Sequence, residues 1–307
     1  MQIVRQTGNL QFAGTEDLGG GLKAGFQFQT TLGTVAVTDR TTSVAANRTL
    51  LGDRAANLTV AGGFGTVLVG RANTAIRSQM GTADVSNLPV VTGLSASSSA
   101  STASTDGVYE LTSTGDNNAR VIYGDTFANQ ISYVSPSISG FTVAVGTVPV
   151  TTVATNVGDD AVGKDTMSYS VAYANGPLNL SVNLTDNAGG SAPYKITTVV
   201  ANYDLGVAKV GFVNQSISLA TGVNPGNGMA VTVAVPMGNG NIGAGMGRRS
   251  ASASTSTSFG DDVKQTFVGY KYNLSKRTTL SAVWNKVDRT GTATDIKETH
   301  VLIGHSF

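Results

Sequence analysis

GNLQFAGTEDLGGGLKAGFQFQ, residues 8–29, reads as two β-strands joined by a tight turn. On the second strand Leu22, Ala24, Phe26 and Phe28 share one face, and Lys23, Gly25, Gln27 and Gln29 share the other. Successive side chains of a strand point to opposite faces, so this one is apolar on one side and polar on the other. In a soluble sheet the apolar face packs on a core, and in a membrane barrel it meets lipid. The hairpin alone leaves both open. Its turn, TEDLGGG, is polar and glycine-rich, as tight turns with positive φ require.

The unit repeats along the chain. Ala56, Leu58 and Val60 alternate with Asn57 and Thr59, and the link at residues 62–65 leads to Val67, Val69 and Gly70-Arg71. Asn129, Ile131 and Tyr133 begin the next pair, followed by a strand over 141–150. Met167, Tyr169, Val171 and Tyr173 come next. Leu178, Leu180, Val182 and Leu184, interleaved with Asn179, Ser181, Asn183 and Thr185, are the cleanest alternation of all. Further strands read at 194–204, 207–217, 229–236, 241–250, 262–272, 277–287 and 297–307, about fifteen in all.

The links between them alternate short and long. Those at 205–206, 238–240 and 273–276 are tight, whereas 218–228, 251–261 and 288–296 are longer. Outer-membrane barrels have short periplasmic turns at one end and longer extracellular loops at the other. A Greek-key sandwich would break sequential order, and a solenoid would repeat at a fixed period. No segment holds the 3.6-residue apolar period of a helical bundle. A strand of about ten residues, tilted, covers roughly a 25 Å apolar band. The expectation is one β-barrel domain over residues 1–307, with a long loop at about 72–118 whose middle, LSASSSASTASTDG, is low-complexity. Loops of that length are more often functional than not.

Composition agrees. Of 307 residues only 13% are charged, with a net charge of +1, so no global field marks a nucleic-acid partner. The 38 glycines against 7 prolines suit short strands and frequent turns. Cysteine is absent, which excludes disulfides and thiolate metal sites. No apolar run reaches the length of a transmembrane helix, about 18 residues or more. No apolar leader follows Met1 either, so an exported chain would be mature or shortened at its start.

Four segments together resemble the general porins of Gram-negative outer membranes, above all those of β-proteobacteria. They are GTEDLGGGLKAGFQ (14–27), GGFGTVLVGR (62–71), ANQISYVSPSISGF (128–141) and the C-terminal LIGHSF. NLSKRT (273–278) is similar to a periplasmic turn of that family. The resemblance spans the chain. It implies a sixteen-stranded transmembrane antiparallel barrel, a homotrimer, and a third loop folded into the lumen as a constriction. It also implies passive diffusion of small hydrophilic solutes and ions, with no cofactor and no metal. Outer-membrane lipid and lipopolysaccharide would be its surroundings, and the barrel assembly machinery its partner through a C-terminal strand ending in Phe307.

The same resemblance guides the pore residues. Arg71 matches the family's constriction arginine. Arg54 matches another, although its parity with Leu58 and Val60 lets it reach the lumen only through a bulge or a loop displacement. Lys23 and Arg77 are further basic candidates, and Asp84, Asp106, Glu110 and Asp116 are the acidic ones on the long loop. Asn9 and Thr126 stand where the family has arginine, so weak ion selectivity is expected. In the family a strand precedes the segment that here begins near Gln6. Either that strand is absent from this chain, or residues 6–13 close the ring beside the last strand.

Catalytic chemistry is not visible. A hydrolase needs a nucleophile, a base and an orienting acid. The histidines are His300 and His305, of opposite parity on the last strand, the first pointing to the lumen and the second to lipid or the interface. Gly19-Gly20-Gly21 and Gly63-Phe64-Gly65 are turn glycines, since no helix follows to hold a phosphate. An acidic stretch at 159–165 reads as a solvated loop before it reads as a calcium site. Tyr173, Tyr203, Tyr270, Tyr272 and Trp284 fit an interfacial girdle or ordinary sheet packing. The alternative to a porin is a secreted or surface β-protein with a structural or adhesive role.

Overall fold

The computed structural model describes residues 9–31, 55–73, 82–88, 121–122, 127–149, 166–187, 194–219, 226–250, 262–290 and 295–306. Among the described residues fifteen strands form one sheet in strict sequential order, every neighbouring pair antiparallel. They are β1 (Asn9–Gly19), β2 (Leu22–Thr31), β3 (Ala55–Gly62), β4 (Gly65–Asn73), β5 (Phe127–Val134), β6 (Phe141–Val148), β7 (Thr166–Asn175) and β8 (Leu178–Asn187). The rest are β9 (Tyr194–Asp204), β10 (Lys209–Leu219), β11 (Asn227–Met237), β12 (Gly240–Ser250), β13 (Val263–Asn273), β14 (Thr278–Arg289) and β15 (Ile296–His305). Among the described residues β15 pairs with β14 alone and β1 with β2 alone.

Parity assigns the faces as expected. Phe26, Phe28, Leu180, Val182 and Leu184 are exposed on the outer face, while Ser181, Asn183 and Thr185 are buried on the inner one. Partners across the sheet obey the same rule: Leu58 stands opposite Phe26 and Val69, and Leu180 opposite Tyr173. An outer face of such residues is stable in hydrocarbon, where water would penalise it. The first turn is made by Gly19, Gly20 and Gly21 at φ 82°, 61° and 81°, the left-handed region that glycine enters without a Cβ clash.

Aromatic residues gather at the short-turn end. Phe64, Phe141, Tyr173, Tyr203, Tyr270 and Tyr272 lie in or beside the short turns, and Phe141 and Tyr173 touch with ring centroids 4.6 Å apart. The Tyr133 hydroxyl donates to the Phe64 carbonyl at 2.6 Å, and that of Tyr270 to the Met237 carbonyl at 3.0 Å. An apolar ring with a polar tip suits the level where hydrocarbon meets headgroups. Trp284 is different: it sits in mid-strand on the outer face, opposite Val268 and Thr299.

The inner face of β9–β14 departs from simple alternation. Val200, Val213, Ala230, Phe267, Val283 and Val287 are buried there and form a core with Ala83, Leu88, Val121 and Ile122 of the segment between β4 and β5. The hydrophobic core of this molecule lies on the inner face of its wall. Polar side chains around it pair across strands, Gln215 donating to Thr198 at 3.0 Å and Gln265 to Asn285 at 2.9 Å. Buried amides and hydroxyls need such partners, because an unmade hydrogen bond costs about 1–3 kcal/mol.

Candidate functional site

Residues 82–88 cross the inner face of five strands, and their contacts follow strand order. The Asn202 side chain of β9 donates to the Thr82 carbonyl at 3.0 Å. The Thr232 hydroxyl of β11 donates to the Ala83 carbonyl at 2.9 Å, and the Asn241 amide of β12 to the Ser86 carbonyl at 2.9 Å. Lys271 of β13 closes the series, its Nζ donating to Asn87 Oδ1 at 3.0 Å. Asn202, Asn241 and Lys271 all lie near the short turns, so this segment runs across the short-turn half of the wall.

Glycine lets the backbone come this close. A Cβ on Gly211 of β10 would stand 2.2 Å from the Ala83 carbonyl oxygen, and one on Gly243 of β12 2.4 Å from that of Ser86. Higher up, a Cβ on Gly228 would stand 2.1 Å from the Val121 carbonyl. Leu88 fills the space over Gly243 and Gly269, and Val121 that beside Gly247. The inner rows of β10–β13 thus form a small-residue seat, to which the segment is held by carbonyl hydrogen bonds and four apolar side chains.

Charge on this face is sparse and paired. Lys209 and Asp204 form an ion pair at 3.1 Å beside the β9–β10 turn. With Val85, Asn179 and Asn202 they line a pocket of about 430 Å³. Asp84 lies above them on the segment and accepts the Ser86 backbone N–H at 2.9 Å. Burial pushes its carboxyl above the ordinary 3.8, against the hydrogen bonds from the Ser86 hydroxyl and N–H. Arg249, on the inner row of β12 at the long-loop end, is buried and engaged.

The chain matches the model of the Gram-negative porin family over residues 3–292. It belongs to that family. Among its relatives is outer membrane porin protein 32 of Delftia acidovorans, 29% identical over 281 residues that cover 89% of this chain and 72% of that one. In fold the porin is similar to an anion-selective porin from Comamonas acidovorans, with a TM-score of 0.68 at 22% identity, covering 98% of this chain and 90% of that one. A Vibrio cholerae outer membrane protein in trimer form superposes with a TM-score of 0.59 at 13% identity, covering 97% and 90%. The porin is therefore a diffusion channel of the outer membrane and no enzyme, and the structural or adhesive alternative falls.

The sequence candidates divide in three. Asp84 lies on the segment that crosses the wall. Lys23 lies on the inner row of β2 near the first turn, opposite Asp17, away from the segment's contacts on β9–β13. Arg71 is half-buried and engaged near the end of β4, opposite Ala56 and Asn129 in the row of Val67 and Val69. Immediately before it Gly70 has φ 119°, so β4 leaves ordinary strand geometry there. Asn9 pairs with Thr31 at the start of β1. Arg54, Arg77, Asp106, Glu110, Asp116, Thr126, Phe307 and the acidic stretch at 159–165 lie outside the described residues.

His300 falls opposite buried Val283 on the inner row. His305 faces outward, its Nδ1 2.9 Å from the Thr278 hydroxyl. Sequence reasoning missed Lys271, the Asp204–Lys209 pair and Arg249 on the inner face. Strand parity alone would have found them, since Lys271 shares the row of Gln265 and Phe267, and Arg249 that of Gly243.

Proposed function

We propose that this porin is a homotrimeric, weakly ion-selective channel for small hydrophilic solutes, narrowed by the segment over about residues 72–118. The observation that carries this reading is the run of residues 82–88 across the inner face of β9–β13, held by hydrogen bonds to four strands. A segment on that face takes cross-section from the water path, so width sets the size cut-off and the charges around it set ion preference. Arg54, Arg77 and Lys23 supply the positive side of the constriction, joined by Arg71 through the departure of β4 from strand geometry at Gly70, and Asp84, Glu110 and Asp116 supply the negative. Opposed charges across a narrow path orient dipolar solutes.

One structural relative is named for anion selectivity. A weaker anion preference is expected here, because Asn9 and Thr126 replace two arginines and Asp84 adds an acid. Outer-membrane lipid and lipopolysaccharide surround the barrel, and the C-terminal strand ending in Phe307 addresses it to the assembly machinery. The test is planar-bilayer recording of the wild type and of a chain lacking residues 95–105. Conductance should rise in the deletion, with a small reversal potential in both. Unchanged conductance would place that part of the segment outside the water path.

A further inference from the structure

The pocket beside the β9–β10 turn holds two opposite charges and, among its described lining residues, no other. Register puts Lys209 of β10 opposite Asp204 of β9, and Asn202 of β9 opposite Asn179 of β8, all on the inner face at the short-turn end. Lys209 Nζ lies 3.1 Å from Asp204 Oδ2, while Asp204 Oδ1 accepts the Gly206 N–H at 2.9 Å. The turn itself thus fixes the carboxylate. The neighbouring turn is tied to it, because the Asp204 N–H donates to the Pro177 carbonyl at 3.0 Å. The bonding capacity of the pair is not spent. Its side chains are 59% and 42% exposed, an ammonium has three donors, and a carboxylate accepts about four hydrogen bonds. Asn179 donates to Asn202 Oδ1, which leaves the Asn179 oxygen as a further acceptor. Val85 of the segment closes one side of this space of about 430 Å³.

We propose that this pocket is a solute subsite on the short-turn side of the segment, selective for small zwitterions of the α-amino acid type. The proposal rests on the diffusion-channel reading and adds a solute class to it. The solute's ammonium meets Asp204 and the Asn179 oxygen, and its carboxylate meets Lys209, through charge-assisted hydrogen bonds. An α-amino acid carries both charges on one carbon. Laid antiparallel to the Lys209–Asp204 pair, it sets each charge against its opposite. A simple anion or cation meets one attraction and one repulsion at nearly the same distance, so a pocket whose charges sum to zero gains little from either. Water reaches the pocket, so each contact is weak, and a passing solute is held only briefly. Tight turns on two sides leave little of the wall to be ordered on binding.

Saturation-transfer NMR of the full chain in a non-ionic detergent tests this with three probes of matched skeleton. They are L-alanine, propionate, which lacks the ammonium, and ethylammonium, which lacks the carboxylate. The wild type should bind alanine about five-fold more tightly than either single ion. Asp204→Asn/Lys209→Gln should bring all three probes to one weak level. The single variants separate the halves: Lys209→Gln should hold ethylammonium as well as alanine, and Asp204→Asn should hold propionate as well as alanine. Lys209→Arg keeps the charge and should keep the preference for alanine. Equal binding of alanine and either single ion by the wild type, or an undiminished preference in the double variant, overturns the subsite. Should the double variant fail to fold, the single variants are read in its place, and a full preference retained in both overturns it. Planar-bilayer recording of the wild type keeps the two readings apart. A wild type that forms no channel counts against the diffusion-channel reading, and a working channel without the alanine preference counts against the subsite alone.

Discussion

Leu180 and Asn179 are neighbours on β8 that face different surroundings. Leu180 is exposed on the outer wall, and Asn179 turns inward to donate to Asn202 Oδ1 at 3.0 Å. A lipid-facing arginine near the midplane costs about 2–4 kcal/mol, while one in contact with water costs little. Val182→Arg, in mid-strand opposite Val171, should therefore lower folding stability in lipid vesicles by about that amount, whereas Leu180→Arg, at the level of Tyr173, should cost about 1 kcal/mol or less and Asn179→Arg well under 1 kcal/mol. Equal losses for Val182→Arg and Asn179→Arg in urea titrations would sink the assignment of faces. Ser181 shares the inward parity but is buried, so it makes a poor comparison. Asp84 carries a pH dependence of its own. Burial raises its carboxyl above 3.8, so the seated segment binds a proton more readily than the free one. The sign follows: seating is favoured at acid pH and weakens as pH rises through the interval between the free and the seated pKa. Above that interval Asp84 is charged and favours cations in the channel. On acidification the wild-type reversal potential should shift toward anions before ordinary carboxylates titrate, and Asp84→Asn should remove that early shift. Superimposable titrations of the two proteins would take Asp84 out of the ion path.

Seating of residues 82–88 depends on missing side chains. A Cβ on Gly243 would meet the Ser86 carbonyl oxygen at 2.4 Å, with the Leu88 side chain as the next contact. Gly243→Leu should push the segment off the wall while leaving strand pairing intact, because the residue's backbone partners, Ala234 and Gly269, are unaffected. Conductance should then change and become noisier, with heat-modifiable migration on gels preserved. Wild-type conductance in that variant would show that the segment does not depend on this contact. The strands themselves were legible, because alternation in β2 and β8 is a local signal repeated over ten residues each. The seat was not. On β13 Phe267 points inward and Val268 outward, both apolar, so period two vanishes where a second layer covers the inner face. Ala83, Leu88, Val121 and Ile122 bury themselves against strands far along the chain, and no local pattern announces such partners. Asp84 was named from charge alone. Parity alone puts Lys271 on the inner row, but its partner, Asn87, lies 184 residues away and no local pattern announces it.

The described strand lengths differ around the molecule. β3, β5 and β6 have 8 residues each and β4 has 9, whereas β9–β13 have 11 and β14 has 12. At about 3.3 Å per residue and a tilt near 45°, the short strands rise roughly 19–21 Å and the long ones roughly 26–28 Å. The outer row of β3–β5 is the face we expect to pack against neighbouring chains in the proposed homotrimer. Leu58, Val69 and Ile131 stand in one cross-strand row there, 63%, 51% and 49% exposed, ready to meet an apolar partner surface. The chain contains no cysteine, so single cysteines report contacts without background. Leu58→Cys should form disulfide-linked dimers within trimers in oxidised native membranes, and Val268→Cys on the tall wall should not. The reverse result would move the interface to β9–β14, and with no cross-link from either position the short wall would have to face lipid directly.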